Sequence, residues 1–312
     1  NEPSNMLSNS FVTFDLHGDV DQQALIESIR TAFQAQNFHC HYQLKNNKLY
    51  KTHISTPVSI EFYDFTSKRD PDTEYRIVLD HYYFNKIDPC EGRLYKACVL
   101  KLADNSFKVI TMCHQIALDG KGFTLFLDVI KNEYQRQTKT NCMDCDIELD
   151  VNCPCQCLHL AEDKMDDACK IWEQKVLSRS LTANLPVLSR TTSRLTQTSI
   201  LSLSSGFSDE IKAFCRDNNF TPHLFFKAVY ALLVGRLADQ HLIGVTSPMD
   251  MRDKESRQTL GCFVNTRLDV YDLEENQSFG AYFDEIRSFN QAAQSYKALP
   301  YRDLINKLNE SS

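Results

Sequence analysis

The hydrophobic pattern of this chain switches between two periods around one stretch, Val109 to Gly122. Val109, Ile110, Met112 and Cys113 form an apolar run of the kind a buried strand shows, and it ends in His114-Gln115. Three small or apolar residues then lead to Asp119-Gly120. Beyond them Phe123, Leu125, Phe126, Val129 and Ile130 fall on one face of a helix. Just upstream, Arg93 to Leu102 and Phe107 to His114 alternate on both arms of a predicted hairpin, with Ala103-Asp104-Asn105-Ser106 as turn chemistry. Its register decides which of His114 and Gln115 faces a site, because a slip of one residue inverts the faces. A strand delivering a His, then an Asp and a Gly at a tight exit, suits rigid presentation of a polar group. The plain alternative is a core strand, turn and helix that happen to include a histidine.

The same two periods continue on either side. Phe11 to Leu16 alternates as a strand, and Asp19 or Asp21 can cap a helix to about Asn37 with Leu25, Ile26, Ile29 and Phe33 inward. Phe38 to Leu44 reads as a strand with a turn at Lys45 to Lys48, His53 to Phe62 stays β-like through Pro57, and Asp70 to Tyr83 reads as a helix. Thr138 to Pro154 has no period and reads as a long connection. Leu158 to Leu177 reads as a helix holding Trp172, and Leu181 to Ser193 as a loop. Leu195 to Leu203 is strand-like, and Ser208 can cap a helix to Asn219. Thr221-Pro222 starts a helix to about Leu237, with Leu224, Phe225, Ala228, Val229, Leu232 and Leu233 on a face wide enough for deep burial. His241 to Ser247 and Phe263 to Val270 read as strands. Ser278 caps a helix to about Ser295, and Leu299-Pro300-Tyr301 starts a last one. Mixed elements in two similar halves predict a two-lobed α/β (α+β) protein, residues 1–180 and 181–312, with a site between the lobes.

Composition narrows this. The 312 residues are 42% hydrophobic and 24% charged, enough for a sizeable core. A formal net charge of −7 without basic clusters argues against a nucleic-acid partner. The longest apolar run, Leu224 to Val234, is too short and interrupted to span a bilayer, and the polar N-terminus carries no signal peptide. Asn1 is not a starting Met, which fits a fragment. Of twelve cysteines, Cys98, Cys113, Cys215 and Cys262 sit in apolar contexts, as free thiols of a reducing, cytoplasmic protein do. Cys142, Cys145, Cys153, Cys155, Cys157 and His159 cluster differently. Cys142-x-x-Cys145 has zinc-ligand spacing, but C-x-C-x-C is not the usual second half of a zinc knuckle, and a cysteine-rich surface loop is the favoured reading.

Several stretches together resemble the condensation domains of nonribosomal peptide synthetases, in the chloramphenicol-acetyltransferase-like superfamily. That family's H-H-x-x-x-D-G stands here as His114-Gln115-Ile116-Ala117-Leu118-Asp119-Gly120. Its G-x-F-V-N-T is complete as Gly261-Cys262-Phe263-Val264-Asn265-Thr266. Met249-Asp250-Met251-Arg252 keeps the Arg of the strand-Gly-Arg upstream, and Tyr296-Lys297-Ala298-Leu299-Pro300-Tyr301 is a weakened Q-D-x-P-F-E. Order and spacing agree from about Phe11 to Leu308. The family's first motif and its last, R-D-x-S-R-N-P-L, have no counterpart, so the second lobe is expected to be incomplete.

The resemblance implies a V-shaped pair of lobes with a tunnel between them. Peptidyl or acyl carrier proteins would bring thioesters on phosphopantetheine arms, as substrates rather than a tightly bound cofactor. The acceptor amine would attack the donor thioester to give an amide or ester. By this analogy the tunnel residue is the motif's second His, here Gln115, with His114 taking its place if one residue bulges. Asp119, Gly120, Arg252 and Asn265 would be structural, Asp119 and Arg252 as a buried ion pair. Gln donates and accepts hydrogen bonds but does not titrate, so general-base help would be lost while positioning survives. Three readings remain: an impaired amide-forming domain, a non-catalytic docking or recruitment module, and a stand-alone acyltransferase using a soluble acyl thioester. The last lacks a basic signature for coenzyme A.

Overall fold

In a computed structural model, the described residues are 9–34, 38–46, 48–139, 162–176, 181, 185, 199–274 and 277–310. Contacts divide the chain into two units: residues 1–157 with 252–264, and residues 158–251 with 265–312. The sequence placed the break at 180/181. The helix at 162–176 instead counts with the second unit, because its apolar face packs there, and Arg252–Val264 counts with the first.

The first unit is built on a four-stranded sheet, order β1-β6-β5-β4, from β1 (Asn9–His17), β4 (Glu61–Asp64), β5 (Tyr95–Ala103) and β6 (Ser106–His114). The predicted hairpin is β5–β6, antiparallel with Tyr95 opposite Cys113 and Val99 opposite Val109. β1 pairs antiparallel with the other side of β6, Asn9 opposite His114. β6 is therefore central and covered on both faces, which is why its sequence is a continuous apolar run rather than an alternation. One face carries α1 (Gln22–Ala32) and α3 (Gly120–Thr138); Leu25, Ile29, Phe33, Phe123 and Phe126 close over Val99, Val109 and Cys113. The other carries α2 (Pro71–Phe84), with Tyr82 against Cys98, Leu100 and Ile110. β2 (Cys40–Lys45) and β3 (Lys48–His53) form a separate hairpin. The β-like reading of His53 to Phe62 breaks at residues 54–60, where Pro57 has no N–H to give a ladder.

Caps set the helix starts. Asp21, Asp70, Thr221 and Ser278 each accept from the backbone N–H three residues on; the sequence indicates Asp21, Thr221 and Ser278, and Asp70 adds a fourth. Ser204, not Ser208, caps α5 (Ser205–Asp217), and residues 199–203 form no strand.

The second unit pairs β7 (Leu242–Asp250) with β8 (Val264–Asp272). One core joins them to α4 (Glu162–Val176), α7 (Phe279–Gln294) and α8 (Tyr301–Glu310). There Trp172 is buried and its Nε1 donates to the Leu268 carbonyl at 2.8 Å. A second core packs α5 and α6 (Pro222–Ala238) on β7, β8 and α7. Deep burial of the predicted α6 face holds for Leu224 and Ala228 but not for Val229 and Leu233, which are 39% and 56% exposed. α6 is apolar nearly all round, with Phe226, Tyr230 and Leu237 also exposed, and the strands cover one side of it. Polar groups are also buried here: Lys227 of α6 pairs with Asp269 and reaches Ser247 Oγ at 3.1 Å, while Arg267 meets the other Asp269 oxygen at 2.7 Å.

Among the described residues no helix is long and apolar enough to cross a membrane, and none of the seven cysteines there is in a disulfide. Cys98, Cys113 and Cys215 are buried and Cys262 is half-buried. Cys142, Cys145, Cys153, Cys155, Cys157 and His159 lie outside the described residues, as do most of the Thr138–Pro154 connection and the Leu181–Ser193 loop. Among those described, no three His, Cys, Asp or Glu side chains are placed to hold a metal.

Candidate active site

The site lies in the first unit, where β6 gives way to α3. The β6 ladder runs to its last residue, with the His114 N–H donating to the Leu94 carbonyl at 2.9 Å. The chain then turns sharply, the Ala117 N–H returning to the His114 carbonyl at 2.9 Å. Ala117 and Leu118 are buried and act as the apolar anchor of the turn, while Gln115 is exposed at its apex. β6 pairs without interruption to Asn9 on one side and up to Cys113 on the other, and the register shift in this sheet lies far off, at Lys101/Ala103. β6 itself thus carries no bulge up to His114.

Asp119 ends the turn and caps α3. Its Oδ1 accepts from the Gly122 N–H at 2.7 Å. Both carboxylate oxygens also face Arg252, Oδ2 to Nη1 at 2.8 Å and Oδ1 to Nη2 at 3.0 Å. A fourth bond comes from the Phe263 N–H to Oδ2 at 2.7 Å. With side chains 5% and 2% exposed, Asp119 and Arg252 form a buried bidentate pair, the geometry in which a planar guanidinium outperforms an ammonium. Two further guanidinium donors, Nε and Nη2, go to the Thr259 and Gly261 carbonyls at 3.2 and 2.9 Å, and the ring of Phe263 lies 4.3 Å from the guanidinium carbon. Both carboxylate oxygens and four guanidinium N–H donors are thus engaged, the kind of saturation that lets buried charges be kept.

That arrangement explains residues whose roles the sequence left blank. The Gly261 carbonyl accepts from both Arg252 and the Asp119 N–H, the latter at 3.2 Å. A Cβ on Gly122 would stand 2.8 Å from that carbonyl oxygen and 2.8 Å from Leu118 Cδ1, whereas one on Gly120 would meet nothing within 4 Å. The steric demand for glycine falls on Gly122, not on the motif's Gly120. Asn265 belongs to the second unit, where its Nδ2 donates to the Lys297 and Leu299 carbonyls, both at 2.9 Å. It ties the start of β8 to the segment before α8, a link that sequence spacing does not reveal.

The chemistry of the turn follows from two side chains. The Ile116 N–H donates to His114 Nδ1 at 3.1 Å, so the neutral ring carries its proton on Nε2. Burial lowers the pKa of His114 below the usual histidine value, opposed by the nearby Asp88 carboxylate. His114 is thus neutral at physiological pH with its acceptor nitrogen taken. Gln115 offers an amide to solvent and has no proton to exchange near neutrality. The turn can orient and hydrogen-bond a reacting group but offers no free base.

A condensation-domain family model matches residues 1–312. The chain belongs to the condensation-domain family. It is 22% identical over 329 residues to the polyketide synthase–nonribosomal peptide synthetase pyiS of Pyricularia grisea, covering 99% of this chain and 8% of that protein. It is 24% identical over 240 residues to a plipastatin synthase of Bacillus subtilis, covering 70% of this chain and 9% of that one. The condensation-domain chain therefore spans under a tenth of these multidomain relatives. The starter condensation domain of rhizomide synthetase superposes with a TM-score of 0.77 at 16% identity, over 98% of this chain and 71% of that one. The first condensation domain of the CDA synthetase gives 0.75 at 14%, over 98% and 74%. At such identities the likeness is one of fold: mixed helices and strands in the chloramphenicol-acetyltransferase-like class.

Proposed function

We propose that this condensation domain joins two substrates held as thioesters on the phosphopantetheine arms of carrier proteins, and that its turn acts by positioning. The acceptor amine attacks the donor carbonyl; the C–N bond forms, the C–S bond breaks, and the amine's proton ends on the departing sulfur. The observation carrying this reading is Gln115, exposed at the apex of a turn that the Asp119–Arg252 pair holds rigid. Its amide can accept from the attacking nitrogen or donate to the developing oxyanion. Holding reactants in place needs no base and gives effective molarities of about 10⁵ M or more in favourable cases.

The second reading, a non-catalytic docking or recruitment module, is favoured by the same commitment of His114 Nδ1, since general-base help of about 10²–10⁴-fold is missing. Loaded donor and acceptor carriers incubated with the wild type, Gln115→His and Gln115→Ala decide between them. Activity in the wild type that falls in Gln115→Ala supports positioning. No product with wild type or Gln115→His supports the docking module. Wild-type activity untouched by Gln115→Ala would remove Gln115 from the mechanism.

A further inference from the structure

We infer that His114 is a positioning residue whose Nδ1, by accepting the Ile116 N–H, sets the turn that presents Gln115. This rests on the reading of Gln115 given above, but its geometric core does not. The contact joins residues two apart, and beside it the Ala117 N–H closes on the His114 carbonyl at 2.9 Å. Together the side chain and main chain of His114 bind both N–H groups that follow Gln115. That is the bonding of an Asx turn, with an imidazole in the place of the usual amide. Nδ1 of histidine and Oδ1 of asparagine are each one bond beyond Cγ, so asparagine can make the same contact. Leucine fills similar space and cannot. Without the acceptor, the Ile116 N–H of a half-buried turn is unsatisfied and Gln115 is free to swing.

The device has a sign with pH. Protonating Nδ1 turns the acceptor into a donor that faces another donor. The charged group acting on the ring is Asp88, from the segment before β5, while its neighbours in the ladder, Asn9 and Leu94, are uncharged. Above the ordinary histidine range the ring is neutral folded and unfolded, and the turn is intact. As pH falls, the unfolded ring protonates first, because burial disfavours the charged form in the fold. The stability tied to the neutral ring is therefore lost from the ordinary value down through the folded one.

The test uses the whole chain and three forms: wild type, His114→Asn and His114→Leu. Nitrogen-15 spectra of wild type should show Nδ1 unprotonated and Nε2 protonated at neutral pH. Amide exchange at Ile116 should be protected in wild type and His114→Asn, and about tenfold or more faster in His114→Leu. On acidification the protection should fall in wild type, relative to the asparagine variant, below the ordinary histidine value. In the condensation assay His114→Asn should keep most of the rate without the acid limb, and His114→Leu should lose roughly tenfold or more in turnover with little change in substrate affinity. A proton on Nδ1 at neutral pH, or an Ile116 amide equally protected in His114→Leu, overturns the inference. If no form condenses but exchange and spectra behave as stated, the positioning of the turn stands and the catalytic reading fails.

Discussion

Removing the Asp119 carboxylate tests most directly what holds the turn. Asp119→Ala deletes four hydrogen bonds at once: to the Gly122 N–H, to two nitrogens of Arg252 and to the Phe263 N–H. The guanidinium, 2% exposed, would keep the Thr259 and Gly261 carbonyls but lose its counter-charge. Breaking a buried pair by removing one partner costs about 3–5 kcal/mol, and loss of an N-cap contributes about 1 kcal/mol of such a figure. Asp119→Asn keeps one acceptor for the cap and should fall between wild type and alanine. Asp119→Ala combined with Arg252→Met should cost less than the sum of the two single changes, because the orphaned charge is gone. The only tryptophan, Trp172, lies in the second unit, so fluorescence does not report on this site. Amide exchange along β6 and the first turn of α3, followed through a urea series, does. The reasoning fails if Asp119→Ala loses less than about 1 kcal/mol there, or no more than the exposed Gln115→Ala.

Other changes probe neighbouring features. Gln115→His should raise condensation at neutral pH and introduce a dependence on the ordinary histidine range, read from a pH–rate profile. Gly122→Ala should destabilise by about 1–3 kcal/mol because the Gly261 backbone must move, whereas Gly120→Ala should be neutral or stabilising; thermal melts of the two variants compare them. In the second unit, Asp269→Ala strands both Lys227 and Arg267 and should cost about 3–5 kcal/mol. Lys227→Met should cost clearly less, since Asp269 keeps Arg267; Trp172 fluorescence in a urea titration reads both.

Much of the secondary structure was legible because local rules decide it. The β5–β6 hairpin follows from two apolar runs around a polar turn, and the starts of α1, α6 and α7 follow from caps that act within three residues. Asp119 and Arg252 were legible as partners only through resemblance, since 133 residues separate them and no local period links them. What failed locally did so for lack of a neighbour. Residues 199–203 have a strand's composition but no strand, and α6 has apolar residues on more sides than the second unit covers.

The sequence by itself pointed to the family and to most of the elements, and it put Gln115 at the position of the motif's second His. Tertiary structure alone decided which glycine is sterically required, which carbonyls and ring complete the Arg252 cradle, and which nitrogen of His114 is occupied. The physical reason is range. Periodicity and capping are set by residues a few positions apart, whereas hydrogen-bond saturation and close packing depend on segments that only the folded chain brings within about 3 Å.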